Sequence, residues 1–136
     1  MNQQIISEAE NWLKRSTRLA AHQRASLALL IPSLIRLLSD SRPRVVGIAG
    51  PPGSGISTLA RLLKAIVISR RVTAAVLSLD DYYLTRVERK AMAEGVHPLF
   101  ATRGVPGTHD LGLLINDLDC LLSGQLDELV LPRFDK

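Results

Sequence analysis

Hydrophobic and polar positions change their period twice along this chain. Ile5, Ile6, Ala9, Trp12 and Leu13 recur at helical spacing, and so do Leu27, Leu30, Ile31, Leu34, Leu37 and Leu38. The first forty residues therefore predict helices layered on a core, with Pro32 expected to kink or restart the second one. Residues 39–43 (Ser-Asp-Ser-Arg-Pro) read as a connector. Residues 45–49 are short and almost wholly apolar, the pattern of a strand buried on both faces. After a glycine-rich loop, helical spacing returns over residues 55–69, with Leu59, Leu62, Leu63, Ile66 and Val67 inward and Arg61 and Lys64 outward. Residues 72–79 are a second β-rich run, ending at Asp80-Asp81. Strand, loop, helix and strand in that order open an α/β fold with a parallel sheet.

Further on, Thr85 and Glu88 stand three apart as a capping box, so a helix starts there, with Gly95 as its end. Residues 95–109 are rich in Gly, Pro and His and predict a loop, in which His97 is expected to be solvated and without a role. Asp110 or Thr108 caps a last helix that turns Leu111, Leu114, Ile115, Leu118, Leu121 and Leu122 inward and stops at Gly124. Residues 129–134 suit a short strand.

Composition narrows the classes. An apolar share of 46% over 136 residues suffices for a packed core and excludes disorder. Cys120 is the only cysteine, so no intrachain disulfide is possible and a reducing compartment is expected. The start Met1-Asn2-Gln3-Gln4 lacks a basic signal-peptide opening, and no apolar run is long enough to span a membrane, so a cytoplasmic location is expected. The net charge of +4 divides into +8 over residues 1–107 and −4 over residues 108–136. A basic body suits anionic small ligands. Its charges are scattered and aromatics make up 4%, which argues against a nucleic-acid platform.

The glycine loop carries the chemistry. Gly50-Pro51-Pro52-Gly53-Ser54-Gly55-Ile56-Ser57-Thr58 follows the phosphate-loop pattern G-x-x-x-x-G-K-[ST], except that Ile56 stands at the lysine position. Phosphate must approach backbone N–H groups closely, and glycine permits both the approach and the positive φ angles that aim those groups inward. The following helix adds its positive dipole end and unpaired donors, and Ser57 is placed to meet a Mg²⁺ ion. The cofactor-binding set is thus Gly50, Gly53, Ser54, Gly55, Ile56, Ser57 and Thr58, with Ser57 on the metal. Ile56 cannot donate a hydrogen bond. Lys64, about 12 Å up the helix, is too far to replace the lysine, and Arg61 is past the first turn.

A kinase also needs a group that orients and deprotonates the acceptor hydroxyl. Asp80, at the end of the second strand, is placed for that, and a turn cap or a pair with Arg86 explains it equally well. Four ordered segments then carry a resemblance: Gly50-Pro51-Pro52-Gly53-Ser54-Gly55; Leu79-Asp80-Asp81-Tyr82-Tyr83-Leu84-Thr85; Arg103-Gly104-Val105-Pro106-Gly107-Thr108-His109-Asp110; and Pro132-Arg133-Phe134-Asp135-Lys136. Over about residues 40–136 the chain resembles the P-loop kinases related to D-glycerate 3-kinase, which are similar to uridine kinase, pantothenate kinase and phosphoribulokinase. The resemblance implies ATP and Mg²⁺ as cofactors, Asp80 as acceptor-side base, and Asp81, Tyr82, Tyr83, Arg103 and His109 as acceptor-binding residues. Without it, residues 103–110 read as a connector with Asp110 as a helix cap.

Two departures qualify that expectation. The family carries lysine where this chain has Ile56, and its members are longer. The expected architecture is a three-layer α/β/α P-loop NTPase, incomplete at its C-terminus. A helical segment at 1–42 would precede the N-terminal part of a kinase domain at 43–136. In this class a third strand separates the first two, so both are expected to lack a partner and to favour self-association. The expected function is an ATP-dependent small-molecule kinase lineage, with glycerate as a candidate acceptor, impaired by Ile56 and truncation. The alternative is a non-catalytic nucleotide-binding remnant or partner-binding fragment.

Overall fold

Side-chain caps start the helices Arg86–Gly95 and Leu111–Ser123, and left-handed residues stop the helices Ile56–Ser69 and Leu111–Ser123. The computed structural model describes residues 2–16, 19–38, 45–124 and 129–134. Among them form α1 (Asn2–Ser16), α2 (Ala21–Leu38), α3 (Ile56–Ser69), α4 (Arg86–Gly95) and α5 (Leu111–Ser123). Short 3-10 turns occupy Leu79–Tyr82 and Pro98–Ala101. The connector expected at residues 39–43 and the last two positions of the segment 132–136 lie outside the described residues. Contacts group the chain into two units, Met1–Val76 and Leu77–Lys136.

The first unit is a helical layer. Ile5, Ala9 and Leu13 of α1, Ala28, Ile31 and Ile35 of α2, and Leu62, Leu63, Ile66 and Val67 of α3 form one buried cluster. Leu13, Ile31, Leu62 and Ile66 are 0–1% exposed, and each such side chain contributes about 1.5–3 kcal/mol by leaving water. The inward face of α3 is the expected one, with Leu59 only half-buried. On α2 the expected face holds in part: Ile31 is buried and Leu27, Leu34 and Leu38 pack against the cluster, whereas Leu30 and Leu37 are exposed and Ala28, Pro32 and Ile35 are buried in addition. Helix α2 also continues through Pro32 instead of restarting there, although a proline supplies no N–H to the carbonyl of Ala28. At the C-terminal end of α3, Arg70 donates to Glu8 at 2.9 Å and Ser69 donates to the same carboxylate at 3.0 Å, which ties α3 to α1.

The expected parallel sheet does not form among the described residues. Residues 45–50, 72–78 and 129–134 carry no ladder, and the one pairing is an isolated antiparallel bridge between Tyr83 and His109. A strand is defined by its partner's hydrogen bonds, and an apolar run without one has nothing to fix it. Val45, Val46, Val72 and Val76 are accordingly exposed, while Ile48 and Ala74 pack against the helical cluster.

The second unit keeps its predicted caps. The Thr85 hydroxyl accepts from the Glu88 N–H, and the Glu88 carboxylate accepts from the Thr85 N–H at 2.7 Å. Those bonds from the Thr85 side chain and backbone hold the Glu88 carboxyl below its usual range. Asp110 is the cap of α5, accepting from the Leu113 N–H at 2.9 Å, and Gly124 ends that helix at φ 75°. The inward face of α5 differs from expectation. Leu111, Ile115 and Leu122 are exposed, Leu114, Leu118 and Leu121 are half-buried, and the buried residue is Asp117.

Arg71 ends α3 in the left-handed region at φ 61°. Its N–H donates to Ile68 and that of Val72 donates to Val67, the paired bonds of a Schellman stop. A side chain with a Cβ costs about 1–2 kcal/mol in that conformation. Arg71→Gly is therefore expected to raise stability by about 1 kcal/mol, read as a higher midpoint in urea unfolding at unchanged slope.

Candidate functional site

The glycine loop is built by one turn and one uncapped helix. Pro52 and Gly53 occupy the centre of a turn closed by the Ser54 N–H donating to Pro51 at 3.1 Å, with Gly53 at φ 79°. Proline followed by a residue of positive φ is the type II arrangement, which requires glycine at the second position. Gly55 then sits at φ 90° as the N-cap of α3 without a side-chain cap. The first intrahelical bond runs from Leu59 to Gly55 at 2.9 Å, so the N–H groups of Ile56, Ser57 and Thr58 precede the ladder. These donors and the dipole end of α3 can hold an oxyanion.

The loop has backbone donors and no cation. Ile56 is half-buried and lies beside Gly50: a methyl group built on Gly50 would stand 3.5 Å from Ile56 Cγ1 and 2.8 Å from Ser54 Oγ. Ser54 and Ser57 are exposed, Thr58 half-buried. Arg61 is spent one turn up, its Nε donating to the Ser57 carbonyl at 3.2 Å, and Lys64 is exposed on the outer face. The backbone donors fit an oxyanion such as a phosphate and the Ser57 hydroxyl would suit a Mg²⁺ ion beside it, but residues 50–58 include no cationic side chain. Among the described residues no group of three His, Cys, Asp or Glu is placed to hold a metal ion, and no helix is long and apolar enough to cross a membrane.

In the second unit the predicted acceptor-side residues divide into two kinds. Tyr83, His109 and Arg103 come together. The Tyr83 and His109 rings stack with centroids 4.1 Å apart at 24°, above their backbone bridge. Phe134 meets Tyr83 edge-on at 5.8 Å, and the Arg103 guanidinium lies 5.2 Å from the Phe134 ring centre. A guanidinium over an aromatic face keeps its N–H edges free for an anion.

Tyr82 and Asp81 point into the structure instead. Tyr82 is 2% exposed and donates its hydroxyl to Asp117 Oδ2 at 2.9 Å. Asp81 accepts the Phe134 N–H at 3.1 Å and stands 3.7 Å from Arg133. The latter pair is weak, because Arg133 is 88% exposed. Asp80 is exposed and, among the described residues, has neither a hydrogen-bond nor an ion-pair partner.

Asp117 was not singled out by sequence reasoning, Phe134 was named only as part of its segment, and His97 was given no role. Asp117 carried a readable signal, a carboxylate in the middle of an otherwise apolar helix. His97 is exposed, and its Nδ1 accepts from the Leu99 N–H at 3.2 Å, capping the turn Pro98–Ala101.

Burial above all, then the bond to Asp117 and the charges of Asp117 and Asp81, push the Tyr82 hydroxyl well above the ordinary value near 10. The folded chain keeps that proton after the unfolded chain has released it. The stabilisation is full below pH 10 and is lost as pH rises through the folded value. Alkaline unfolding beginning above pH 10 is expected, with a shallower pH dependence in Tyr82→Phe, followed by circular dichroism against pH.

No family model matches the chain, and no solved structure matches it significantly. Curated kinases do match. The chain is 35% identical over 119 residues to an uncharacterized kinase, mug58, of Schizosaccharomyces pombe, covering 82% of this chain and 43% of that one. It is 33% identical over 102 residues to the chloroplastic D-glycerate 3-kinase of Arabidopsis thaliana, covering 71% and 22%. It is 34% identical over 89 residues to the pantothenate kinase of Streptococcus pneumoniae, covering 64% and 28%. The chain thus spans less than half the length of these relatives, and over that part the identities support a P-loop kinase-like family and a kinase lineage.

Proposed function

We propose that this chain is a P-loop member of an ATP-dependent small-molecule kinase lineage whose phosphoryl transfer is impaired by Ile56. The observation that carries the reading is the uncapped start of α3 behind Gly53 and Gly55, both at positive φ. In this reading the N–H groups of residues 56–58 hold the ATP phosphates and the Ser57 hydroxyl holds the Mg²⁺. ATP supplies the transferable phosphoryl group. Asp80 takes the proton of the acceptor hydroxyl, and its exposure leaves the carboxylate available. Arg103 and Tyr83, which share the Phe134 ring, form the acceptor side with His109, next to the turn that carries Asp80 and Asp81. Glycerate is the candidate acceptor, supported by the relative named D-glycerate 3-kinase.

A second reading, nucleotide binding without turnover, is favoured by Ile56 itself. Its side chain lies against Gly50 where the loop pattern calls for a cation. A missing donor of this kind costs about 10²–10³ in rate. The exposed valines of residues 45–46, 72 and 76 favour self-association, expected as a concentration-dependent sedimentation coefficient.

Saturable ATP binding is expected by calorimetry, stronger with Mg²⁺ and stronger again in Ile56→Lys. That variant is expected to gain about 10²–10³ in ATP-dependent phosphorylation of D-glycerate. Saturable binding with no product from either protein supports the second reading. Absence of ATP binding by both overturns the two together.

A further inference from the structure

We propose that the buried Tyr82–Asp117 hydrogen bond is a strut that positions Asp80, which makes Tyr82 and Asp117 positioning residues and removes Tyr82 from the acceptor-binding surface. The inference rests on the reading of Asp80 as the acceptor-side base.

The turn Leu79–Tyr82 is too short to hold itself. It is a single four-residue 3-10 turn, entered by the Asp81 N–H donating to Ser78 at 2.9 Å. Asp80 lies inside this turn, exposed and without a partner of its own among the described residues. Its place is therefore set by its neighbours. Asp81 is fastened by its carboxylate to the Phe134 N–H. Tyr82 is fastened twice to the same helix. Its carbonyl accepts the N–H of Asp110, the N-cap of α5, at 2.7 Å, and its hydroxyl donates to Asp117, two turns along, at 2.9 Å. Two attachments about 10 Å apart on one helix fix an angle as well as a position. Asp110 completes the latch, because its side chain caps α5 while its N–H holds the turn.

Stability alone does not call for this pair. Asp117 is 3% exposed, and a buried carboxylate costs free energy that an apolar side chain would not. Replacing such polar pairs with well-packed apolar residues is often neutral or stabilising. What an O–H to carboxylate bond adds is direction, since it is short and angle-dependent where an apolar contact is not.

The test uses the full chain carrying Ile56→Lys, with ATP and D-glycerate as substrates. Tyr82→Phe and Asp117→Leu are expected to lower kcat by about 10²-fold, the cost of a misplaced group, with both KM values held within about twofold. Asp117→Asn is expected to keep most of kcat, because its amide oxygen still accepts from the phenol. A raised KM for glycerate at unchanged kcat in Tyr82→Phe would place Tyr82 on the acceptor and overturn the proposal. Unchanged kcat in every variant would reduce the pair to stability and overturn it as well. A readout independent of turnover is the heteronuclear NOE of the Asp80 amide, expected to fall in Tyr82→Phe and Asp117→Leu and to hold in Asp117→Asn. An unchanged NOE would sink the strut whatever the kinetics. Absent turnover in Ile56→Lys, with the NOE falling as expected, would overturn the kinase reading and Asp80's role in it while leaving the strut standing.

Discussion

Burial of Leu62, Leu63, Ile66 and Val67 beneath α1 and α2 is the interaction on which the glycine loop depends. An oxyanion site made of backbone N–H groups has no side chain to place it. Its geometry is that of the helix start, and the helix start is only as fixed as the helix. A fourteen-residue helix is marginal alone in water, so tertiary packing has to order it. The apolar stripe of α3 provides that packing, and the Glu8 bonds to Ser69 and Arg70 hold its far end. Gly53 and Gly55 then shape a loop whose base is already immobile.

The second unit solves a different problem with polar contacts. Among its described residues the buried ones are Tyr82, Arg89, Thr108 and Asp117, three of them polar or charged besides the tyrosine. Order there comes from directional bonds, Thr108 to Val105 at 2.6 Å among them. Arg89 is the exception, with a buried Nε that has no hydrogen-bond partner among the described residues. Polar networks tolerate loss poorly, because each removed partner strands another group. That contrast gives the two units different sensitivities, the first to volume changes and the second to lost donors and acceptors.

Local chemistry was legible in the chain, and pairing was not. The Thr85–Glu88 box, the Asp110 cap, the Gly124 stop and the positive-φ glycines all follow from residues within a few positions of one another. The inner face of α3 followed from spacing alone. The strands at 45–49 and 72–79 were read from composition, yet a ladder requires a second segment that no local pattern specifies. The faces of α2 and α5 were only partly legible, for a related reason. Counting large apolar residues overlooks Ala28, which is fully buried, and cannot foresee that Tyr82 would draw Asp117 inward. At the candidate site, Tyr83, Arg103 and His109 were named from their segments. Their meeting with Phe134 depends on a backbone bridge that spacing does not reveal.

The bridge between Tyr83 and His109 also sets an order of events in folding. It closes a loop of about 25 residues, an entropic cost of about 3 kcal/mol before any contact is gained. Inside that loop lie α4 and the turn Pro98–Ala101, which pack against each other and need only local contacts. Helical turns form in well under a millisecond, and a closure of this length is cheaper once they have shortened the path. The ring stack, the Asp110 latch and the Asp117 strut all require the ends of the loop to meet. By this ordering the Tyr83, His109 and Phe134 ring cluster forms after α4 and the turn Pro98–Ala101.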